Sequence, residues 1–211
     1  MKHAIIVGHP DPNSFTMAMA NRYAEAVSAL GHTYVVRDLY RIDFDPRLKL
    51  SELPDRPIWE IAPDAADERR MIGDADVFAF IYPLWFNSPP AVIKGYIDRV
   101  FGAGFGYAQL RAGGQEPMLA GRHLINVTAS GSSSAWLNEQ GAWDSLRNLF
   151  DTYLAKVCGM RVRPHIHFDS IVHGLESRWV DVNLKTLETR LTEYFGRDIE
   201  APHSAYGNDG R

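Results

Sequence analysis

The 211-residue sequence predicts an α/β fold, a parallel sheet with helices on both faces. Short continuous apolar runs such as AIIVGH (4–9) and VFAFIYP (77–83) are the pattern of strands buried on both sides, where a half-wet antiparallel strand would alternate. Between such runs lie segments whose apolar residues recur at the helical period. Strands alternating with helices of this length imply parallel neighbours joined by right-handed crossovers. A hydrophobic content of 45% against 23% charged residues supplies the core for one α/β domain.

Each element has its own signal. Strand one, 4–9, ends at Gly-His-Pro. From Ser14 onward Phe15, Met19, Tyr23, Ala26 and Leu30 keep helical spacing, with Asn13 or Ser14 as N-cap and Gly31 as the stop. TYVVRDL (33–39) is a β-branched strand, and the stretch from Asp43 to Pro63, with Pro46, Pro54 and Pro57 inside it, reads as an extended excursion. A polar helix over 64–76 leads into strand 77–83. The next helix has Val92, Ile93, Tyr96, Ile97, Val100 and Phe101 on its apolar side and Lys94, Asp98 and Arg99 facing out. Strands follow at HLINVTA (123–129) and VRPHIHF (162–168), separated by a helix over 146–157, and a last helix covers about 179–195. Residues 1–200 form the expected single domain, and 201–211 a polar tail.

Composition narrows the function. A net charge of -4 and a pI near 6.0 provide no basic field for a phosphate backbone, so nucleic acid is not an expected partner. The one cysteine, Cys158, closes no intrachain disulfide and reads as a buried small hydrophobe in a reducing compartment. The apolar run after Met1 is too short for a secretion signal or a membrane span, so a cytoplasmic protein without membrane insertion is expected.

In parallel sheets ligands bind beyond the carboxyl ends of the strands, at the switch point of strand order. Three loops should therefore meet at one edge: GHPDPNSFT (8–16), PLWFNSPP (83–90) and TASGSSSAW (128–136). In the first, Asn13, Ser14 and Thr16 stand at a helix start, where they either cap the helix or join its free N–H groups in holding a phosphate. In the second, Trp85 and Phe86 either cover the sheet end or form a flat apolar wall. The third, from Thr128 to Ser134, presents closely spaced N–H and hydroxyl donors for a ring edge. Together the three fit a flavin mononucleotide moiety better than separate accidents. His165 and His167 alternate with Ile166 and so share a strand face, but no further ligand spacing completes a metal site and none is expected.

The same loops carry a resemblance. YPLWFNSPPAVIKGYIDRVF (82–101) resembles, almost position by position, the strand, aromatic turn and helix of the NAD(P)H:quinone oxidoreductases of the flavodoxin-like superfamily. That group includes the mammalian quinone reductases and the bacterial modulator-of-drug-activity and potassium-efflux ancillary proteins. The likeness spans about residues 3 to 195. It implies a flavodoxin-like five-stranded parallel sheet in the order 2-1-3-4-5. It also implies a phosphate loop with His9, Asn13, Ser14, Phe15 and Thr16, a ring resting on Pro83, Leu84, Trp85, Phe86 and Asn87, and a pyrimidine-edge loop with Thr128, Ser130 and Gly131. GFGYA (104–108) resembles the segment that places a tyrosine, here Tyr107, near the substrate pocket across a homodimer interface, and Trp136 joins the pocket wall.

The resemblance implies FAD or FMN as cofactor, NAD(P)H as hydride donor, and ping-pong transfer through flavin N5 to a quinone-like acceptor. One departure matters: Trp136 and Ala142 stand where mammalian members have a tyrosine and histidine proposed to stabilise charge, and neither can do so. No catalytic residue is therefore assigned. The alternative is a flavin-binding regulatory subunit or electron carrier with little turnover, which a charge of only -4 disfavours, since carriers usually show a strongly acidic docking face.

Overall fold

The computed structural model describes residues 1–55, 58–107 and 118–196. The tail expected over 201–211, the domain end at 200, and Pro57 and Ala108 of the segments above lie outside the described residues.

The strands are β1 (Lys2–Val7), β2 (Thr33–Asp38), β3 (Val77–Pro83), β4 (His123–Ala129), β5 (Arg161–Val162) and β6 (Ile166–Phe168), and every pairing is parallel. The sheet runs β2-β1-β3-β4-β5, with β6 also pairing with β4. The flavodoxin-like α/β class is as expected, but the fifth position is shared: one strand over 162–168 was expected and two short ones form. Pro164 has no N–H for a ladder, and the register shows an extra residue, Leu124 opposite Val162 but Val127 opposite Ile166. This bulge bends the strand at Arg163–His165.

The helices are α1 (Phe15–Ala29), α2 (Pro63–Ile72), α3 (Ala91–Val100), α4 (Ser134–Glu139), α5 (Ala142–Arg147), α6 (Leu154–Cys158) and α7 (Ser177–Phe195), with a π-helical stretch, Asn148–Tyr153, joining α5 to α6. Ser14 caps α1 by accepting from Met17 N at 3.2 Å. Pro90 precedes α3, where a missing N–H costs nothing. The helix expected over 146–157 is instead this α5, π and α6 run, and α4 has no counterpart in the sequence reading. Among the described residues no helix is long and apolar enough to cross a membrane.

Strand alternation sorts the core. Ala4, Ile6, Phe78, Phe80 and Leu124 face the side of α2, α3 and α6, while Ile5, Val7, Val77, Ala79, Ile125 and Val127 face α1 and α7. Arg99, expected to face solvent, is buried: its guanidinium reaches Glu52 at 3.0 Å and Asp64 at 2.6 Å and donates to the Asp45 backbone oxygen. It thereby ties the Pro-rich excursion to α3.

At the amino end of β1, His3 is fully buried, with Nδ1 3.0 Å from Tyr23 Oη, Nε2 3.0 Å from His32 Nδ1, and the Phe195 ring edge-on at 4.9 Å. Burial, then the charges of His32, the N-terminus and His123, push its imidazole from 6.5 down to about 3. The fold holds the neutral form, so this contribution to stability is intact above the unfolded value and is lost as pH falls from about 6.5 towards 3. In urea unfolding, His3→Gln should flatten that decline by up to about 1.4 kcal/mol per pH unit. Identical slopes in parent and variant would show that His3 titrates alike in both states.

Candidate functional site

The carboxyl ends of β1, β3, β4 and β6 border a cleft of about 520 Å³. His9, Asn13, Ser14, Phe15, Thr16, Pro83, Leu84, Trp85, Ser130 and Gly131, all named from the sequence, line it. Phe86, Asn87, Thr128, Tyr107 and Trp136 do not.

The first loop is stiff. Asp11 Oδ1 accepts from Asn13 N at 2.9 Å, His9 Nδ1 accepts from Asp11 N at 3.1 Å, and from outside Arg41 donates to the backbone oxygens of His9 and Pro10, both at 2.9 Å. The first turn of α1 leaves the N–H groups of Phe15 and Thr16 with no helical carbonyl behind them. No Lys or Arg lines the cleft among the described residues. An anion there would be held by backbone N–H groups, the helix dipole and hydroxyls.

The aromatic turn is a two-residue hairpin turn. Trp85 N donates to Ser88 O at 3.0 Å and Ser88 N to Trp85 O at 3.1 Å, while Phe86 (φ 51°) and Asn87 (φ 55°) both adopt the left-handed conformation of a type I′ turn. Asn87 tolerates that conformation and Phe86 does not, so Phe86 holds strain of about 1–2 kcal/mol. Phe86 is also fully exposed, so it sits on the rim, whereas Trp85 lines the cleft with its ring 5.9 Å from His9. Asn87 Nδ2 donates to Ala142 O at 2.8 Å and anchors the turn to α5.

In the third loop Ser130 N donates to Phe168 O at 3.0 Å and Ser130 Oγ to Ser132 O at 2.8 Å. Thr128 is fully buried with its hydroxyl 2.7 Å from His165 Nε2 and 2.8 Å from His167 Nδ1, on the strand face it shares with Leu124 and Asn126. Its side chain therefore points away from the cleft. The shared face expected of His165 and His167 is seen, and it is spent on Thr128. Trp136 stands half-exposed on α4, and Tyr107 lines a separate cavity of about 380 Å³ with Arg69, Phe101, Tyr153 and Val157.

Sequence reasoning missed the segment after β6: Ile171, Val172, His173, Gly174, Leu175 and Val180 complete the cleft. Ile171 N donates to Ser130 O at 2.9 Å, which docks this segment on the third loop. A signal existed, because the loop after the last expected strand must reach the same sheet edge.

Comparison with known proteins agrees with this architecture. Residues 1–191 match the family model described as flavodoxin-like fold. An uncharacterized NAD(P)H oxidoreductase of Haemophilus influenzae is 34% identical over 161 residues, 76% of this chain and 79% of that one. The structure of an NAD(P)H:quinone oxidoreductase from Methanothermobacter marburgensis superposes with a TM-score of 0.76 at 27% identity, covering 96% of this chain and 98% of that one. An FMN-dependent NADH-azoreductase from Bacillus anthracis, in complex with FMN, shares the fold with a TM-score of 0.70 at 18% identity, covering 92% of this chain and 99% of that one. The chain belongs to the flavodoxin-like fold family, and its relatives there are NAD(P)H oxidoreductases.

Proposed function

We propose that the chain is a flavin-dependent NAD(P)H oxidoreductase that reduces a quinone or similar acceptor in alternating half-reactions at one cleft. The observation that carries this reading is convergence: a helix start rich in donors, an apolar wall containing Trp85, and the third loop at Ser130 and Gly131 border the same 520 Å³. The names of the relatives support NAD(P)H and a quinone, and the FMN-bound neighbour supports a flavin.

The residues fit such a cofactor, FAD or FMN. Asn13, Ser14 and Thr16 with the first N–H groups of α1 would hold its phosphate, beside His9 and Phe15. Pro83, Leu84 and Trp85 would support the ring, and Ser130 with Gly131 would face its polar edge. When bound, the flavin supplies the two-electron chemistry, accepting hydride from NAD(P)H and returning it to the acceptor. The protein's own part is to orient both flat partners, exclude water with the Ile171–Leu175 segment, and provide fixed donors.

A homodimer completes the proposal. Leu48, Tyr153 and Val157 are exposed apolar side chains lining the cavity that holds Tyr107, a surface that a second copy of the chain would cover. One domain, a cytoplasmic setting and a place for Trp136 at the mouth of the substrate pocket belong to the same proposal.

The purified protein should be yellow or should bind added FAD or FMN, as read by absorbance and fluorescence titration; no binding at micromolar excess would remove the flavin reading. Ser14→Ala and Trp85→Ala should each weaken binding by roughly 10-fold to 100-fold, for losses of about 1.5–3 kcal/mol. A charge at Phe86 would stay in water, so the informative change there is Phe86→Gly, which should relieve strain and raise unfolding stability by about 1 kcal/mol. Lower stability would mean that the exposed ring makes contacts in the assembled protein. Light scattering should give a mass near twice the 23.7 kDa chain, and a monomer at working concentration would exclude the dimer.

A further inference from the structure

One line of hydrogen bonds runs from the helix layer to the edge of the cleft. Asp151, on the π-helical stretch, is buried; Asn126 Nδ2 donates to its Oδ1 at 2.7 Å, and His165 Nδ1 lies 3.1 and 3.0 Å from its two oxygens. His165 Nε2 is 2.7 Å from Thr128 Oγ1, Thr128 Oγ1 is 2.8 Å from His167 Nδ1, and His167 Nε2 is 3.1 Å from Ser130 Oγ. Ser130 lines the cleft, while both histidines line a second cavity of about 220 Å³ with Ser134, Leu137, Asn138 and Arg190. That volume admits several waters at about 30 Å³ each. The line therefore joins two cavities, and Trp143 covers it, 4.9 and 5.0 Å from the two imidazole rings.

Donor accounting assigns the hydrogens. The Ser130 hydroxyl donates to Ser132 O, so His167 Nε2 carries a hydrogen and donates to Ser130 Oγ. Burial, then the charge of His165, push the His167 imidazole down to about 4, so it is neutral near pH 7 and its Nδ1 accepts from the Thr128 hydroxyl. With its one hydrogen used, Thr128 Oγ1 accepts from His165 Nε2–H. His165 Nδ1 faces a carboxylate that only accepts, so it carries a hydrogen too. In this arrangement His165 donates from both ring nitrogens, Nδ1–H to Asp151 and Nε2–H to Thr128 Oγ1.

We propose that Asp151, His165, Thr128, His167 and Ser130 form a proton relay that delivers the proton held on His165 to an anion in the cleft at Ser130 Oγ, which rests on the reading of that cleft as a flavin site. The Ser130 hydroxyl turns from Ser132 O to the anion; His165 Nε2–H then passes to Thr128 Oγ1 as the Thr128 hydrogen passes to His167 Nδ1, and His167 Nε2–H passes to Ser130 Oγ as the Ser130 hydrogen leaves for the anion. Every bond broken is matched by one formed, and the line carries no electrons. His165 ends neutral and accepts from Thr128, and His167 ends with its hydrogen on Nδ1; water in the outer cavity, which both rings line, returns a hydrogen to His165 Nε2 and to His167 Nε2 and takes up that on His167 Nδ1, a net gain of one proton from solvent per cycle. The demand is chemical: NAD(P)H, a quinone and one proton yield NAD(P)⁺ and a hydroquinone, so each turnover consumes a proton that hydride does not bring.

The surrounding charges set the balance of the line. Arg147 lies 3.8 Å from Asp151 and over the Trp143 ring, Arg190 borders the outer cavity, and Asp169, bonded to Ser134, favours protonation of His167. On β3 the Tyr82 hydroxyl has no hydrogen-bond partner, and burial and the Asp151 charge hold it protonated.

The test uses the full chain with Thr128→Val and Thr128→Ser, and His167→Gln should Thr128→Val fail to fold. In ¹⁵N-histidine NMR without added cofactor near pH 7, His165 should be protonated on both nitrogens and His167 on Nε2 alone; neutral His165 with the His167 hydrogen on Nδ1 would overturn the stored proton. In rapid mixing of the NAD(P)H-reduced protein with a quinone, Thr128→Val should bind FAD or FMN like the parent yet be reoxidised about tenfold or more slowly and without the parent's solvent deuterium effect, with Thr128→Ser restoring both. Parent-like reoxidation of Thr128→Val by the quinone would overturn the relay and leave the flavin reading standing. A parent that binds no flavin would overturn that reading and the relay with it.

Discussion

The pairing of parallel strands buried on both faces is the constraint from which the rest follows. β1, β3 and β4 carry apolar side chains above and below the sheet, so polar groups have little room except where the ladders stop. The ladders stop together, at Val7, Pro83 and Ala129, and the backbone N–H and C=O groups released there must find new partners. The loops that supply those partners form the cleft. His3 at the amino end and Thr128 at the carboxyl end follow this rule, whereas Asn126, in the middle of β4, is accommodated by donating to Asp151.

Each loop is locked by a contact with a distant part of the chain. Arg41 holds the first, Asn87 clips the second to α5, and the Ser130 amide joins the third to β6. Arg99 does the same on a larger scale: its charge is buried, and without Glu52 and Asp64 it would destabilise the fold it now organises. Rigid loops let backbone donors act without reorganisation when a ligand arrives. The left-handed Phe86 is the visible cost of this arrangement, a bulky residue kept where glycine would sit more easily.

The carboxyl edge has two sides with different chemistry. Towards α1 and α7 lies the cleft, bordered by hydroxyls, helix-start donors and apolar walls, with no Lys or Arg among its described residues. Towards α5 and the π-helical stretch lie Asp151, His165 and His167, grouped around one buried hydroxyl. Ser130 belongs to both sides, because it is the first residue beyond β4 and its side chain is no longer bound to the alternation of the strand.

The sequence by itself determined the first four strands, the capped first helix and the three loops that line the cleft, because hydrophobic period and turn chemistry are local properties of a few neighbouring residues. Only the tertiary structure decided the finer placements. The bulge that carries His165 onto Thr128 depends on the register of β5 and β6 against β4, and Arg99 is buried because an excursion some fifty residues earlier brings carboxylates to it. Phe86 faces water at the tip of a two-residue turn, and residues 171–175 reach the cleft through Ile171, whose N–H donates to Ser130 O beyond β4. In each case the deciding partner is far away in the chain, and no local pattern encodes a distance between residues that meet only after the sheet has formed.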